Sequence, residues 1–200
     1  MARVASKSAR TRERILHAAA RVLSAKGYAG TRLSDVAEVA EVQAPAIYYY
    51  WTSRESLLEE VVTVGQQATM EHVVARLEGL PPDASAMERI DQAVAAHLEV
   101  VLGRADFSQA AIRNAGQLPV DIRERQLVGQ RAYAEVWRTL VEGAVASGEM
   151  RGDVDTRAAR MLVLGALNWA PEWWDPGRNP LQDVVAVVQQ VVRTGLRAPR

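Results

Sequence analysis

Thr31-Arg32-Leu33-Ser34-Asp35-Val36-Ala37-Glu38-Val39-Ala40-Glu41-Val42-Gln43-Ala44-Pro45-Ala46-Ile47-Tyr48-Tyr49-Tyr50-Trp51 is the stretch that decides the fold. Leu33, Val36, Ala37 and Ala40 recur at helical spacing, and Ile47 and Trp51 follow one turn apart in a second short helix. Two short helices joined by a tight turn, with a third packed across them, make the helix-turn-helix plan. Its second helix buries one face and lays the other in the major groove of DNA. On that plan Ile47 and Trp51 are inside, while Gln43, Ala44, Pro45, Tyr48 and Tyr49 point outward. Pro45 is tolerated in a first turn, where backbone N–H groups lack helical partners. The helix therefore starts near residue 43 or 44 and turns its N-terminus, with partial positive charge and free donors, toward a phosphate. Successive helical residues point about 100° apart, so three adjacent tyrosines cannot all be buried. At least one phenol is left to meet a phosphate oxygen.

Outward from this stretch the periodicity stays helical, with no sustained period-two alternation and no hairpin dipeptide. Ile15, Ala18, Ala19, Val22 and Leu23 predict a first helix that stops at Lys26-Gly27. A long helix is expected from Thr52-Ser53-Arg54-Glu55, where Thr52 and Glu55 have capping-box spacing, to Pro81-Pro82. Ser85 and Glu88 repeat that spacing before a helix reaching Gly103, and a shorter helix spans about 106–116. Pro119 opens a long one with a buried stripe of Tyr133, Trp137, Leu140, Val141, Ala144 and Val145. Asp153 or Asp155 caps a helix over 156–169, a loop runs from Pro171 to Pro180, and a Val-rich helix covers 181–195. The fold class is all-α. A three-helix DNA-binding domain (1–54) precedes a larger helical domain (55–200) for effector binding and dimerisation, about nine helices in all.

Charge supports the division. The net charge is zero, yet residues 1–54 hold nine Lys/Arg against four acids, and the remainder is acidic to the same extent. A basic head on an acidic body is suited to a polyanion. The chain has no cysteine, which removes disulfides and thiolate metal sites. No apolar run reaches the ~18 residues of a membrane span, and Met-Ala-Arg-Val-Ala-Ser-Lys lacks the apolar segment of a signal peptide. A cytoplasmic protein without membrane contact is expected. No Gly-rich phosphate loop, His-x-x-x-His pair or nucleophile elbow is present, so neither an enzyme nor a metal or cofactor is expected.

The run from Thr31 through Leu58 resembles the signature of the tetracycline-repressor (TetR) family: Thr-Thr-x-x-Asp-Ile-Ala-x-x-Ala-Gly-Val-Ser-x-x-x-Leu-Tyr-x-His-Phe-x-Ser-Lys-Glu-x-Leu. The resemblance implies that Tyr48 and Tyr50 contact the DNA backbone and that Arg54 meets phosphate. It also implies base contacts for Ala44, Pro45 and Tyr49, and it puts Thr31 and Arg32 in place of a Thr-Thr pair near the interface. Glu41 replaces the turn glycine, Gln43 the capping serine, Tyr50 the histidine and Trp51 the phenylalanine. If residue 41 is left-handed, glutamate is strained where glycine would not be.

For the body, the resemblance implies a homodimer with a small-molecule effector. Helix 156–169 is apolar nearly all round and helix 181–195 on more than one face, so each needs more than one partner. Leu162, Leu167, Val184, Val185, Val188, Val191 and Val192 are the candidate dimer residues. Asn168-Trp169, Trp173-Trp174 and Pro176 resemble an Asn-Trp-x-x-x-Trp-aromatic-x-Pro motif of a subgroup responding to acyl-coenzyme A thioesters from fatty-acid or steroid breakdown. Candidate effector residues are His97, Arg104, Phe107, Arg113, Tyr133, Trp137, Asn168, Trp169 and Trp173, the arginines serving ligand phosphates or carboxylate. The expected function is a ligand-responsive repressor that binds a near-palindromic, double-stranded operator as a homodimer. The alternative is a DNA-binding protein of low sequence specificity without an effector.

Overall fold

The computed structural model describes residues 7–103 and 105–198. Among them nine helices follow one another: α1 (Lys7–Gly30), α2 (Leu33–Val39), α3 (Ala44–Tyr48), α4 (Arg54–Glu78), α5 (Ala86–Gly103), α6 (Ala105–Asn114), α7 (Val120–Ala146), α8 (Thr156–Trp173) and α9 (Leu181–Leu196). The described residues contain no strand, only one isolated bridge between Met150 and Arg197. No helix among them is long and apolar enough to cross a membrane.

Local chemistry sets most helix ends. Gly27, at φ 71°, breaks α1 at the predicted stop, and the helical trace resumes for one more turn. The cap of α4 lies one residue later than expected. Ser53 Oγ accepts from the Ser56 N–H at 3.0 Å and Ser56 Oγ from the Ser53 N–H at 3.1 Å, so the reciprocal pair is Ser53/Ser56, not Thr52/Glu55. Ser85 Oγ accepts from the Glu88 N–H at 3.1 Å, while the Glu149 carboxylate takes the exposed N–H groups of Ala86 and Met87 at 2.9 and 3.0 Å. Of the two candidate caps for α8, Asp155 is used, accepting from the Ala158 N–H at 2.8 Å. This helix runs on through Pro171 to Trp173, beyond the expected end. A proline that close to a C-terminus removes one hydrogen bond without interrupting a long stretch beyond it.

The chain divides into two compact units. One runs to Gln66 and resumes over Asp106–Leu127; the other takes Gln67–Ala105 and everything from Val128 onward. The sequence suggested a division near residue 55. In the structure it falls a dozen residues further along α4, and α6 with the start of α7 belongs to the first unit. The cause is apolar. Ala110, Ala111, Leu118 and Ile122 join one core with Ile15, Leu16 and Leu23 of α1, Val36 of α2, Ile47 of α3 and Leu57, Leu58, Val61 and Val62 of α4. Gly65 makes the approach of α6 possible, since a Cβ there would collide with the Phe107 carbonyl. In the second unit α5 is the central helix, buried on nearly every side from Met87 to Leu102 and packed against α8 and α9.

Candidate nucleic-acid interface and effector core

The turn between α2 and α3 is a complete Schellman motif. Ala40 ends α2, Glu41 follows at φ 53°, the Glu41 N–H reaches the Glu38 carbonyl at 3.1 Å and the Val42 N–H reaches the Ala37 carbonyl at 3.0 Å. Glu41 is the one non-glycine residue with positive φ among those described, the conformation its replacement of glycine anticipated. Arg14 Nη2 donates to the Ala40 carbonyl at 2.8 Å and so satisfies an end of α2.

α3 then opens at an extended Gln43 whose side chain makes no cap, with Pro45 in the first turn and Ile47 fully buried. Opposite Ile47, Tyr48 is 60% and Tyr49 80% exposed. Arg32, Gln43 and Pro45 are also exposed, and Ala44 is half-buried. Tyr50 is half-buried. Its hydroxyl lies 3.1 Å from Ser8 Oγ and donates to the Ser8 carbonyl at 3.2 Å, while its ring meets Tyr49 and Trp51. Six of the nine residues proposed for DNA therefore lie on α3 or directly beside it, and Arg32 is exposed at the N-cap of α2.

The other two are turned inward. Thr31 is buried, and its hydroxyl donates to the Gly27 carbonyl at 2.7 Å, closing the turn that the positive φ of Gly27 opens. Arg54, expected to meet phosphate, donates from Nε to the Thr31 carbonyl at 2.7 Å and from Nη2 to the Tyr28 carbonyl, lies 4.5 Å above the Tyr28 ring and pairs with Glu55 at 2.9 Å. A guanidinium suits this site because its planar fork can satisfy several carbonyls left without partners at a helix end and stack on an aromatic face as well.

A second clasp was not anticipated. The Trp51 Nε1–H donates to Glu60 Oε2 at 2.7 Å, both Glu60 oxygens accept from Arg12 Nη2 at 2.6 Å, and the Arg12 guanidinium lies 4.9 Å over the Trp51 ring. It joins α1, the end of α3 and α4. The usable signal was tryptophan in place of phenylalanine, because a buried indole N–H requires an acceptor.

In the second unit four of the expected effector residues come together. His97 is 1% exposed, its Nδ1 lies 2.7 Å from the Tyr133 hydroxyl, and its ring is stacked on Tyr133 with the edge toward Trp137. Burial pushes the imidazole down to about 4, a shift that the nearby Asn168 carboxamide only partly opposes. Burial also pushes the Tyr133 hydroxyl up, so both groups are neutral near pH 7. His97 Nε2 and Trp137 Nε1 are buried with no partner at hydrogen-bond geometry.

The remaining effector candidates lie elsewhere. Phe107 and Arg113 belong to the first unit, where Phe107 packs on the core and meets His17 edge-on at 4.9 Å. Trp169 and Trp173 are exposed on α8, and Arg104 lies outside the described residues. No cluster of His, Cys, Asp and Glu suited to a metal occurs among the described residues.

The dimer candidates separate by face. Leu167, Val184 and Val192 are buried within the chain's own core, and Val185 and Val188 are half-buried. Leu162 and Val191 are exposed, together with Met161, Trp169, Trp173 and Val187. Both helices have two apolar faces, and periodicity does not tell which of them packs internally.

A helix-turn-helix head with an exposed recognition helix, carried on a helical body, defines a DNA-binding regulator. Residues 15–61 match the model of bacterial regulatory proteins of the tetR family, and residues 83–196 match the tetracyclin repressor-like C-terminal domain. The chain belongs to the tetracycline-repressor family of transcriptional regulators, which are not enzymes. It is 34% identical over 191 residues to the transcriptional repressor NicS of Pseudomonas putida, covering 92% of this chain and 84% of that one. The fatty acid metabolism regulator protein of Bacillus subtilis is 21% identical over 160 residues, covering 80% and 81%. The crystal structure of AibR in complex with isovaleryl coenzyme A and operator DNA superposes with a TM-score of 0.80 at 20% identity, covering 90% of this chain and 97% of that one.

Proposed function

We propose that this chain is a homodimeric repressor that binds a near-palindromic operator and is released by a hydrophobic effector of the acyl-coenzyme A type. The observation that carries the proposal is the uncovered apolar stripe of Met161, Leu162, Trp169 and Trp173 on α8 with Val187 and Val191 on α9. Exposed apolar side chains of this size, on two helices that both pack against α5, favour a protein partner, and a second copy offers the same side chains across a two-fold axis. Two heads fixed by such an axis read two half-sites. Tyr48, Tyr49, Pro45, Ala44, Gln43, Arg32 and the edge of Tyr50 would face the DNA. A protein whose target is chromosomal DNA works in the cytoplasm.

For the effector, the buried aromatic and polar cluster of the second unit supports a ligand with an apolar body and few polar anchors. The names of two relatives, a fatty acid metabolism regulator and a complex with isovaleryl coenzyme A, favour an acyl thioester. Ligand binding that favours heads spread apart lowers operator affinity by population shift.

The test is a band-shift with the DNA preceding the chain's own coding sequence, alongside sedimentation of the free protein. The expected outcome is a dimer that retards one palindromic fragment and loses it when acyl-coenzyme A is added. A monomer in solution, or retardation indifferent to sequence, overturns the proposal.

A further inference from the structure

Within the second unit, the end of α4 and the middle of α7 border a cleft of about 1030 Å³, closed at one end by the loop of residues 82–85 and the start of α5. Ala132, Val136, Thr139 and Gly143 of α7 line it, at a spacing that puts them on one helix face. Ala132, Thr139 and Gly143 are small, and a Cβ added at Gly143 would meet nothing within 4 Å, so this face of α7 leaves room open. Val74 and Leu77 of α4 and Val136 and Leu140 of α7 form apolar walls that are only half-buried. The volume is at the upper end of small-molecule sites, roughly 300–1,000 Å³. His97, Tyr133, Trp137 and Asn168 do not line the cleft, which is separate from the buried aromatic cluster.

The charges around the cleft are nearly all of one sign. Glu78, Asp83, Glu135 and Glu149 line it, with Arg89 as the one cation. Arg89 Nη2 is turned to the Pro81 and Pro82 carbonyls at 3.2 and 3.4 Å. Glu149 accepts from the Ala86 and Met87 N–H groups, and Glu135 pairs with Arg138. Glu78 and Asp83 are exposed, and their side chains pair with no described residue. An apolar body between α4 and α7 would therefore bring a positive group to two free carboxylates, whereas an anion there would meet repulsion.

We propose that this cleft binds a small molecule with an apolar body and one ammonium group, the body held between α4 and α7 and the ammonium at Glu78 and Asp83. Apolar burial supplies most of the affinity, because exposed ion pairs contribute little each. The carboxylates supply the choice of sign. The site is separate from the buried cluster that the effector reading above invokes, and the phosphates of a coenzyme A would be disfavoured at this mouth.

The experiment is calorimetry on the full-length protein with octyltrimethylammonium, 1-octanol, octanoate and octanoyl-coenzyme A, each below its micellar concentration. The wild type is expected to bind the ammonium ~tenfold more tightly than octanoate, with octanol between them, and the preference should shrink as salt is raised. Glu78→Gln combined with Asp83→Asn should bring the ammonium to within ~twofold of octanol. Gly143→Leu fills open space on a helix. It should weaken ammonium and octanol alike by ~tenfold or more, while its thermal midpoint without ligand stays unchanged or rises.

Octanoate bound as tightly as the ammonium overturns the proposal. So does a preference that survives the double variant, ammonium binding that survives Gly143→Leu, or no ammonium binding at all. An octalysine peptide that binds where the ammonium does not would make the acids a surface patch, and the proposal falls. Octanoyl-coenzyme A tests the effector reading separately. If it binds and is untouched by the cleft variants, the two sites are distinct; if Gly143→Leu abolishes its binding, the acyl chain occupies the cleft and the proposal falls.

Discussion

The two units differ in what surrounds their central polar side chains. In the head, arginines are spent on holding helices together: Arg12 on Glu60 and Trp51, Arg14 on the end of α2, Arg54 on the carbonyls of Tyr28 and Thr31, and Arg125 on Glu59 at 2.6 Å. These clasps surround a closed apolar core and leave one short helix facing solvent with its tyrosines. In the body, Arg193 clasps the buried Asp91 of α5, but further along the same helix His97 meets Tyr133 and Trp137 in a neutral aromatic cluster, and apolar side chains of α8 and α9 are exposed. Reading DNA needs a face of fixed geometry, which charge-assisted hydrogen bonds supply. On the proposed function, the body keeps open apolar surface for the second copy that covers it.

The contrast breaks most sharply at Trp51. Replacing it with alanine removes a buried indole from the head's core and leaves Glu60 with Arg12 as its donor, so Trp51→Ala should destabilise the first unit by about 3–5 kcal/mol. Amide exchange is the measurement that localises the loss. Protection should collapse across α1 to α3, while the centre of α5, which belongs to the other unit, keeps its slow amides. An equal loss in both units would mean that they fold as one, and the comparison would fail.

Acid tests the body next. The folded His97 titrates near 4, whereas an unfolded histidine titrates near 6.5, so between these values the unfolded chain binds the extra proton. The stability that His97 contributes is complete above about 6.5, declines as the pH falls through this window and is fully lost below about 4, a swing of roughly 3 kcal/mol. The Met87 and Ala86 N–H groups hold the Glu149 carboxyl below the usual range, so its protonation comes later in an acid titration than that of an ordinary glutamate. Denaturant titrations at pH 7 and 4.5 should show the slope in the wild type and its disappearance in His97→Gln.

At the recognition face the expected effect is smaller and confined to binding. Tyr48→Ala and Tyr49→Ala remove exposed rings, so each should leave the thermal midpoint within ~1–2 °C of wild type. Each should also weaken operator binding by about tenfold, the loss of one anchoring contact. Arg54→Ala is the counterpart. Its guanidinium faces Tyr28 and Thr31, so it should lower the midpoint of the head, and a change in DNA affinity without a change in stability would show that it meets phosphate after all.

These residues also mark how far the sequence could be read. Helix order, the buried pair Ile47 and Trp51 and the exposed Tyr48 and Tyr49 followed from 3.6-residue periodicity, because a short helix has one inside. His97, Tyr133, Trp137 and Asn168 stand out in the sequence as polar and aromatic residues on apolar helices, but their meeting does not. What periodicity could not supply was pairing over distance. Arg12 finds Glu60 across 48 positions, Arg54 reaches back 26 to Tyr28, and Phe107 joins the head rather than the effector core. Nor could it choose between two apolar faces of α8 and α9, since the composition of each face is the same whether its partner is the same chain or another.

The smallest expected effect bears on the one left-handed non-glycine residue among those described. Glu41 occupies the left-handed position of the Schellman turn, where a Cβ is unfavourable by about 1 kcal/mol relative to glycine. Its side chain is exposed and its carbonyl lies 3.4 Å from Arg14 Nη2, a contact that the backbone alone provides. Glu41→Gly should therefore raise stability by about 1 kcal/mol, ~2–4 °C in thermal midpoint. Glu41→Ala keeps the Cβ and should gain nothing. If glycine and alanine behave alike, the strain is absent and the glutamate is neutral in the turn. If glycine stabilises the head while operator affinity stays constant, the turn serves only to connect two helices. If affinity falls as stability rises, the left-handed glutamate sets the angle at which α3 is presented to DNA.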